Sequence, residues 1–91
     1  MNHKLPKYSY DFLLEAHKKS SSHKEKILSD KLCACFCCEK TFLPIEIIEW
    51  IEEPKGGETA VCPKCGIDSV LGSEFPIQDK DFLDEMNKYW F

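Results

Sequence analysis

Apolar residues recur at helical spacing in the first and last parts of the chain. Between residues 9 and 19 the apolar positions are Tyr10, Phe12, Leu13, Leu14 and Ala16, and serines 20–22 end the pattern. Near the C-terminus Phe82, Leu83, Met86, Tyr89 and Trp90 fall at i, i+1, i+4, i+7 and i+8. Each set forms one stripe of a helix. The sequence therefore predicts a helix at each end, the second packing its stripe, with Trp90 and Phe91, against the first helix or a sheet.

Two shorter patterns predict further helices. Ser22 followed by Glu25 has the spacing of a capping box, which predicts a short helix reaching Leu28. Pro44 suits the first position of a helix, and a helix over residues 44–53 would place its isoleucines and its glutamates on different faces. The competing interpretation of this segment is a strand, because residues 45–47 are rich in β-branched isoleucine.

A hairpin is expected in the segment that follows. Residues 54–57 (Pro-Lys-Gly-Gly) break the chain, and Glu58 to Val61 has the composition of a strand. Residues 68–71 are expected to pair back on that strand across the intervening cysteine turn.

Four of the six cysteines have the spacing of a metal site. Cys35 and Cys38 form one C-x2-C pair, Cys62 and Cys65 form a second, and 23 residues separate the pairs. Two sulfurs three residues apart on a tight turn can both reach one ion at about 2.3 Å, while N–H groups of the turn donate to them. Gly66, directly after the second pair, can adopt the positive φ that turns the chain away. Closed four-cysteine coordination predicts one structural zinc per chain, although a rubredoxin-like iron site has the same ligand spacing.

Other side chains leave alternatives open. Cys33 and Cys37 have i, i+2 spacings that ligate metals in some architectures, but we expect them to fill space on either side of Phe36. His3, His17 and His23 all precede the first cysteine pair, and a mixed site using His23 is the alternative to four sulfurs. With no histidine beside the second pair, the sequence lacks the pattern of a metal-dependent nuclease.

Composition and charge narrow the function classes. The chain has 91 residues, a size that predicts one domain with a marginal core that benefits from a metal. Its formal charge is −4, and four thiolates around a zinc dication would make it about −6. All twelve basic residues are lysines. This balance argues against nucleic acid as a partner, since binding it requires a basic face.

No apolar run at residues 1–7 resembles a signal peptide and none elsewhere could span a membrane, so we expect a cytoplasmic protein without a membrane partner.

Several stretches resemble a group of small, uncharacterised bacterial proteins. They are residues 33–38 (CACFCC), 44–51, 59–70 (TAVCPKCGIDSV) and 86–91 (MNKYWF), and the similarity spans roughly residues 23 to 91. The first cysteine pair in that group resembles Cys-Phe-x-Cys, which supports Cys35 and Cys38 as ligands and leaves Cys37 outside. The resemblance implies a zinc-ribbon or treble-clef-like module and carries no established activity.

Together these patterns predict an α+β fold. Residues 1–32 are expected to be helical, residues 33–72 to form a zinc module of knuckle, short helix and β-hairpin, and residues 73–91 to hold the C-terminal helix. The expected function is a non-enzymatic interaction or regulatory module, with a protein partner meeting the acidic face of Glu46, Glu49, Trp50 and Glu53. The alternative is a small metal-dependent enzyme or a rubredoxin-like iron redox protein.

Overall fold

Three helices flank two small antiparallel sheets in a computed structural model that describes residues 5–91. The helices are α1 (Tyr10–Lys18), α2 (Lys24–Leu28) and α3 (Lys80–Trp90). The strands are β1 (Cys33–Cys35), β2 (Thr41–Phe42), β3 (Trp50–Glu52), β4 (Glu58–Ala60) and β5 (Val70–Gly72). One sheet has the order β2-β1-β5 and the other pairs β3 with β4. The predicted α+β class is therefore confirmed, and no helix among residues 5–91 is long and apolar enough to cross a membrane.

The two terminal helices form where periodicity predicted them and pack against one another. Ser9 caps α1 by accepting a hydrogen bond from the N–H of Phe12 at 3.2 Å, and Asp79 caps α3 through the N–H of Asp81 at 2.9 Å. Leu13 of α1 and Phe82 of α3 are both buried in one apolar cluster. This cluster also includes Ala34 of β1 and Leu71 of β5, so α3 packs against both the N-terminal helix and a sheet. Trp90 packs half-buried at its edge, whereas Phe91 is largely exposed.

The short helix α2 exists, but its predicted capping box does not. His23 occupies the cap position, and no side chain caps the helix there. Ser22 instead takes a left-handed φ of 50°, and its hydroxyl donates to the carbonyl of Gly56 at 3.0 Å. The Ser22 hydroxyl thus binds the turn between β3 and β4 and does not cap α2.

The predicted helix over residues 44–53 is wrong. Only a 3₁₀ turn forms at Pro44–Glu46, and the chain then extends into β3. Gly56 and Gly57, with φ of 106° and 80°, close a tight turn that brings β3 back against β4, and Trp50 lies opposite Ala60. β-branched isoleucines suit the extended conformation, so the strand pairing prevails over the helical spacing. Glu46, Glu49, Trp50 and Glu53 consequently do not form one helix face, and the competing strand lies later than residues 45–47.

The predicted pairing of residues 68–71 with β4 is also wrong. β4 does form at Glu58–Ala60, but it pairs with β3. β5 pairs with β1, so that Val70 lies opposite Cys35 and Gly72 opposite Cys33. The second cysteine turn therefore connects two sheets and does not close a hairpin.

His23 takes the place of a neighbouring strand along the outer edge of β4. Its backbone N–H donates to the carbonyl of Glu58 at 3.0 Å, and its Nε2 lies 3.3 Å from the N–H of Ala60. Its Nδ1 lies 2.9 Å from the carbonyl oxygen of Lys19. Because Nδ1 faces an acceptor and Nε2 faces a donor, the ring is neutral, with its proton on Nδ1. Burial of the ring lowers the pKa of His23, against the raising effects of the Lys19 carbonyl and of Glu74.

We expect His23 to make stability depend on pH. Unfolded His23 titrates near its ordinary pKa of 6.5 and the folded residue titrates lower, so the unfolded state binds more protons below that pH. The free energy of unfolding should therefore fall as the pH is lowered from about 7.5 to about 5.5. His23→Gln, which does not titrate, should show a smaller fall in urea unfolding experiments with the metal content checked at each pH. Equal slopes for the two proteins would contradict this role.

Candidate metal centre

The first cysteine pair lies in the turn between β1 and β2. Cys35 ends β1, and its backbone N–H donates to the carbonyl of Lys40 at 3.0 Å. The N–H of Glu39 returns to the carbonyl of Cys35 at 2.7 Å. Inside the turn, the N–H of Cys37 points at the Sγ of Cys35 from 3.3 Å. The turn thus directs Sγ of Cys35 and Sγ of Cys38 to one side.

The second pair repeats the same hydrogen bonds in the turn between β4 and β5. The N–H of Cys62 donates to the carbonyl of Ile67 and the N–H of Gly66 to the carbonyl of Cys62, both at 2.9 Å. The N–H of Lys64 points at the Sγ of Cys62 from 3.3 Å. Each bond joins positions with the same spacing as its counterpart in the first turn. The two half-sites are therefore equivalent turns, each with N–H groups facing its first sulfur.

The two turns meet sulfur to sulfur. The Sγ atoms of Cys35 and Cys65 are 3.6 Å apart, and those of Cys38 and Cys62 are 3.8 Å apart. All four sulfurs lie within 4.8 Å of one another. Four ligands at about 2.3 Å from one ion would stand about 3.8 Å apart at the corners of a tetrahedron. The cluster therefore has the dimensions of a tetrahedral thiolate site, and its four residues are those singled out from the sequence.

The electrostatics of the cluster favour a cation. Burial raises the pKa of Cys35 to about 11, although the hydroxyl of Ser69, 3.0 Å from its sulfur, opposes that shift. Burial and the neighbouring Cys35 thiol likewise raise the pKa of Cys65. For Cys62 burial also acts upward, but the N–H donors of Lys64 and Cys65 outweigh it, and the pKa is lowered. Four thiolates at this spacing repel one another, and a divalent cation at their centre removes that repulsion.

The two remaining cysteines lie outside the cluster. Cys33 is fully buried in β1 among apolar side chains, and burial raises its pKa to about 12. Cys37 is half-buried against the same apolar cluster. Both residues thus fill space in an apolar cluster, but it is not the cluster that contains Phe36, beside which they were expected. Neither residue belongs to the four-sulfur group.

The described histidines are engaged elsewhere. Both ring nitrogens of His23 bind backbone groups, as described above, and its side chain is absent from the sulfur cluster. The ring of His17 packs against the ring of Trp90 at an interplanar angle of 34°, with centroids 4.1 Å apart. The third histidine, His3, lies outside the described residues.

Asn87 and Ser69 support the first turn, and sequence reasoning did not identify either. The side-chain amide of Asn87, on α3, donates to the carbonyls of Phe36 at 3.2 Å and Cys37 at 2.8 Å. Ser69, which precedes β5, is buried, and its carbonyl accepts from the N–H of Phe36 at 3.0 Å. The only signal for Asn87 was a small polar residue beside the apolar stripe of α3. These contacts tie the turn that holds Cys35 and Cys38 to α3 and β5.

Sequence reasoning also missed Glu39. This residue occupies the position in the first turn that Gly66 occupies in the second. Glu39 has φ of 60° and Gly66 has φ of 79°. Left-handed backbone costs a residue with a side chain about 1 kcal/mol or more. In addition, burial raises the pKa of Glu39, the carboxyl of Asp84 raises it further, and Oε1 is buried without a hydrogen-bond partner among the described residues. Glu39 is therefore an unfavourable residue in a turn that glycine fits better.

No family model matches this chain, and comparisons with curated proteins and with solved structures likewise found no match.

We expect Asn87→Asp to destabilise the protein by about 1–3 kcal/mol, because it removes both donors and aims a carboxylate at two carbonyls. Chemical denaturation of the metal-loaded protein measures the change. Gln78→Glu, the same amide-to-acid change at an exposed position, is the matched control and should have little effect. Equal stability of the two variants would show that Asn87 does not hold the turn.

Glu39→Gly is expected to stabilise the protein by about 1 kcal/mol, since it relieves the left-handed strain and removes a carboxylate beside Asp84. Glu39→Ala removes the carboxylate but keeps the strain, so its unfolding free energy should lie below that of the glycine variant. Chemical denaturation measures the unfolding free energies of both variants. A glycine variant less stable than the alanine variant would refute the role of backbone strain.

Proposed function

We propose that this protein is a small interaction module whose fold is held by one structural zinc ion bound to Cys35, Cys38, Cys62 and Cys65. The observation that carries the proposal is the meeting of two equivalent turns, which brings four sulfurs within 4.8 Å. Each turn also aims an N–H group at its first sulfur, and such donors stabilise the thiolate form.

A four-thiolate set favours zinc and a structural role. Soft sulfur ligands in tetrahedral geometry select zinc or iron over magnesium and calcium. Four protein ligands fill the tetrahedron, so no position is left for water or substrate. A rubredoxin-like iron centre uses the same ligands and is the alternative. The two metals differ in colour, since zinc thiolates do not absorb visible light and iron thiolates do.

The position of the cluster supports a role in folding. The first turn belongs to the three-stranded sheet, and the second connects β4 of the two-stranded sheet to β5. A metal ion would therefore fasten the two sheets to each other. Structural zinc contributes about 10–16 kcal/mol of apparent binding free energy, which is comparable to or larger than the whole stability of a typical small domain.

A zinc-ribbon-like arrangement describes the module better than a treble clef. Each turn follows a short strand, and between the two turns the described chain contains strands and one 3₁₀ turn. A treble clef needs a helix in the metal unit, and the helix that the sequence predicted at residues 44–53 is absent. The proposed module is therefore a zinc ribbon without the short helix expected from the sequence.

A binding role for the module is supported by its surface. Ile45 and Ile48 are 85% and 89% exposed, beside the exposed acid Glu49. Monomeric proteins rarely leave aliphatic side chains clustered in water, and such clusters mark interaction sites. Within residues 5–91 the closed sulfur set and the engaged histidines point to no catalytic centre, so we propose a binding role.

The purified protein is expected to contain one zinc per chain and to be colourless. Cys62→Ser and Cys35→Ser should each lose the metal and unfold, because three sulfurs cannot complete the site. Elemental analysis, visible absorption and circular dichroism provide the measurements.

Cys33→Ser is the matched control, because Cys33 is also a buried cysteine of β1 and lies only two residues from Cys35. It should keep its zinc. Loss of metal from Cys33→Ser with retention in Cys35→Ser would show a different ligand set, and a visible iron spectrum would favour the redox alternative.

A further inference from the structure

The outer edge of β3 is an unpaired sheet edge. The N–H of Val61 donates to the carbonyl of Glu49, and the N–H of Glu53 donates to the carbonyl of Gly57. In an antiparallel pair, alternate residues turn their backbone groups toward the partner strand. Residues 49, 51 and 53 therefore face β4, and the backbone groups of Trp50 and Glu52 face outward, where they have no partner among residues 5–91.

The opposite edge of the same sheet shows how this protein satisfies such groups. On β4 the outward carbonyl of Glu58 and the outward N–H of Ala60 are both bound by His23. Nothing comparable covers β3 in the described part of the chain. The two-stranded sheet thus has one closed edge and one open edge.

Exposed aliphatic side chains occur within β3 and in the segment that leads into it. We define the aliphatic segment as residues 43–51, in which Leu43, Ile45, Ile48 and Ile51 are all exposed. Ile48 and Ile51 flank Trp50 in sequence, so the segment runs directly into β3. Short strands and charged side chains protect open edges against nonspecific pairing, whereas exposed isoleucines favour contact with a partner.

The negative charges at this edge favour a basic partner. Glu52 lies opposite Glu58 in the strand pair, a like-charge pairing that is unfavourable. The Nζ of Lys24 lies 3.1 Å from a carboxylate oxygen of Glu58 and compensates the negative charge of that residue. Glu52 and Glu49 are exposed and have no ion-pair partner among the described residues. A lysine or arginine arriving beside β3 would complete the pairing that Lys24 supplies for Glu58.

We propose that the outer edge of β3 binds an extended segment of another protein, in which aliphatic and basic residues alternate, by adding it as a third strand. Backbone groups of Trp50 and Glu52 bond the incoming strand. Its basic side chains lie on the face of the sheet that carries Glu52, and its aliphatic side chains lie on the opposite face with Ile51. This inference rests on the proposed binding role and identifies its surface and its kind of partner.

A second copy of this chain fits the edge less well. Joining two β3 edges would bring Glu49 and Glu52 of both copies into one small sheet, and each chain already carries a formal charge of −4. Repulsion between these carboxylates opposes self-pairing. Formation of a dimer through β3 is therefore a distinct outcome of the test and would count against the proposal.

The test uses the zinc-loaded protein and blocked nine-residue peptides in a nuclear magnetic resonance titration. One peptide alternates lysine and valine, a second has glutamate in place of lysine, and a third repeats the first with its strand-facing amides N-methylated. Only the first should bind. The amides of Trp50 and Glu52 should gain about tenfold or more protection from hydrogen exchange, as expected for new strand hydrogen bonds. The amide of Glu53, already bonded to Gly57, should change little.

Charge variants test the same surface. Glu52→Lys should weaken binding of the lysine peptide about tenfold, because an attraction becomes a repulsion. Glu25→Lys makes the same charge change at an exposed position of α2 and should leave the affinity unchanged. No binding of the first peptide at millimolar concentration, equal binding of the glutamate or methylated peptide, or protection of Trp50 that depends on protein concentration alone would each overturn the proposal. Zinc content measured in the same samples keeps these outcomes separate from failure of the metal site.

Discussion

Close approach of four sulfur atoms is the constraint on which the rest of this structure depends. The cysteines are brought together by two turns, one within the three-stranded sheet and one that connects the two sheets, and those turns repeat the same hydrogen bonds. Thiolates at this spacing repel one another unless a cation lies between them, so a metal ion bound there would fix the positions of both turns. With strands of only two or three residues, neither sheet is large enough to be stable on its own.

Single side chains complete the backbone hydrogen bonds that such short elements leave open. Asn87 of α3 binds two carbonyls of the first cysteine turn, and His23 binds both outward groups of β4. Each contact links a helical part of the chain to the region around the cysteines. The open edge of β3 is the exception to this pattern, and it coincides with exposed isoleucines and uncompensated acids. That coincidence is the basis for assigning the edge to a partner.

Local patterns allowed sequence-based prediction, whereas pairing between distant residues did not. The terminal helices and the two C-x2-C turns follow from residues within one or two turns of each other, and the structure confirms that the four sulfurs meet. Residues 44–53 contain isoleucines at a spacing that suits a helix. The strand conformation of β3 instead depends on its pairing with β4, which lies beyond the Gly56-Gly57 turn. The partner of β5 is likewise set by a strand far earlier in the chain. Asn87 acts on a turn 50 residues away, a relation that no periodicity reveals.

X-ray absorption spectroscopy at the zinc edge, on the protein as purified, identifies the atoms bound to the metal. A closed four-cysteine site is expected to show four sulfur neighbours at about 2.3 Å and no lighter ligand. A nitrogen or oxygen neighbour at about 2.0–2.1 Å in place of any sulfur would contradict the four-cysteine site and the closed, structural role assigned to it.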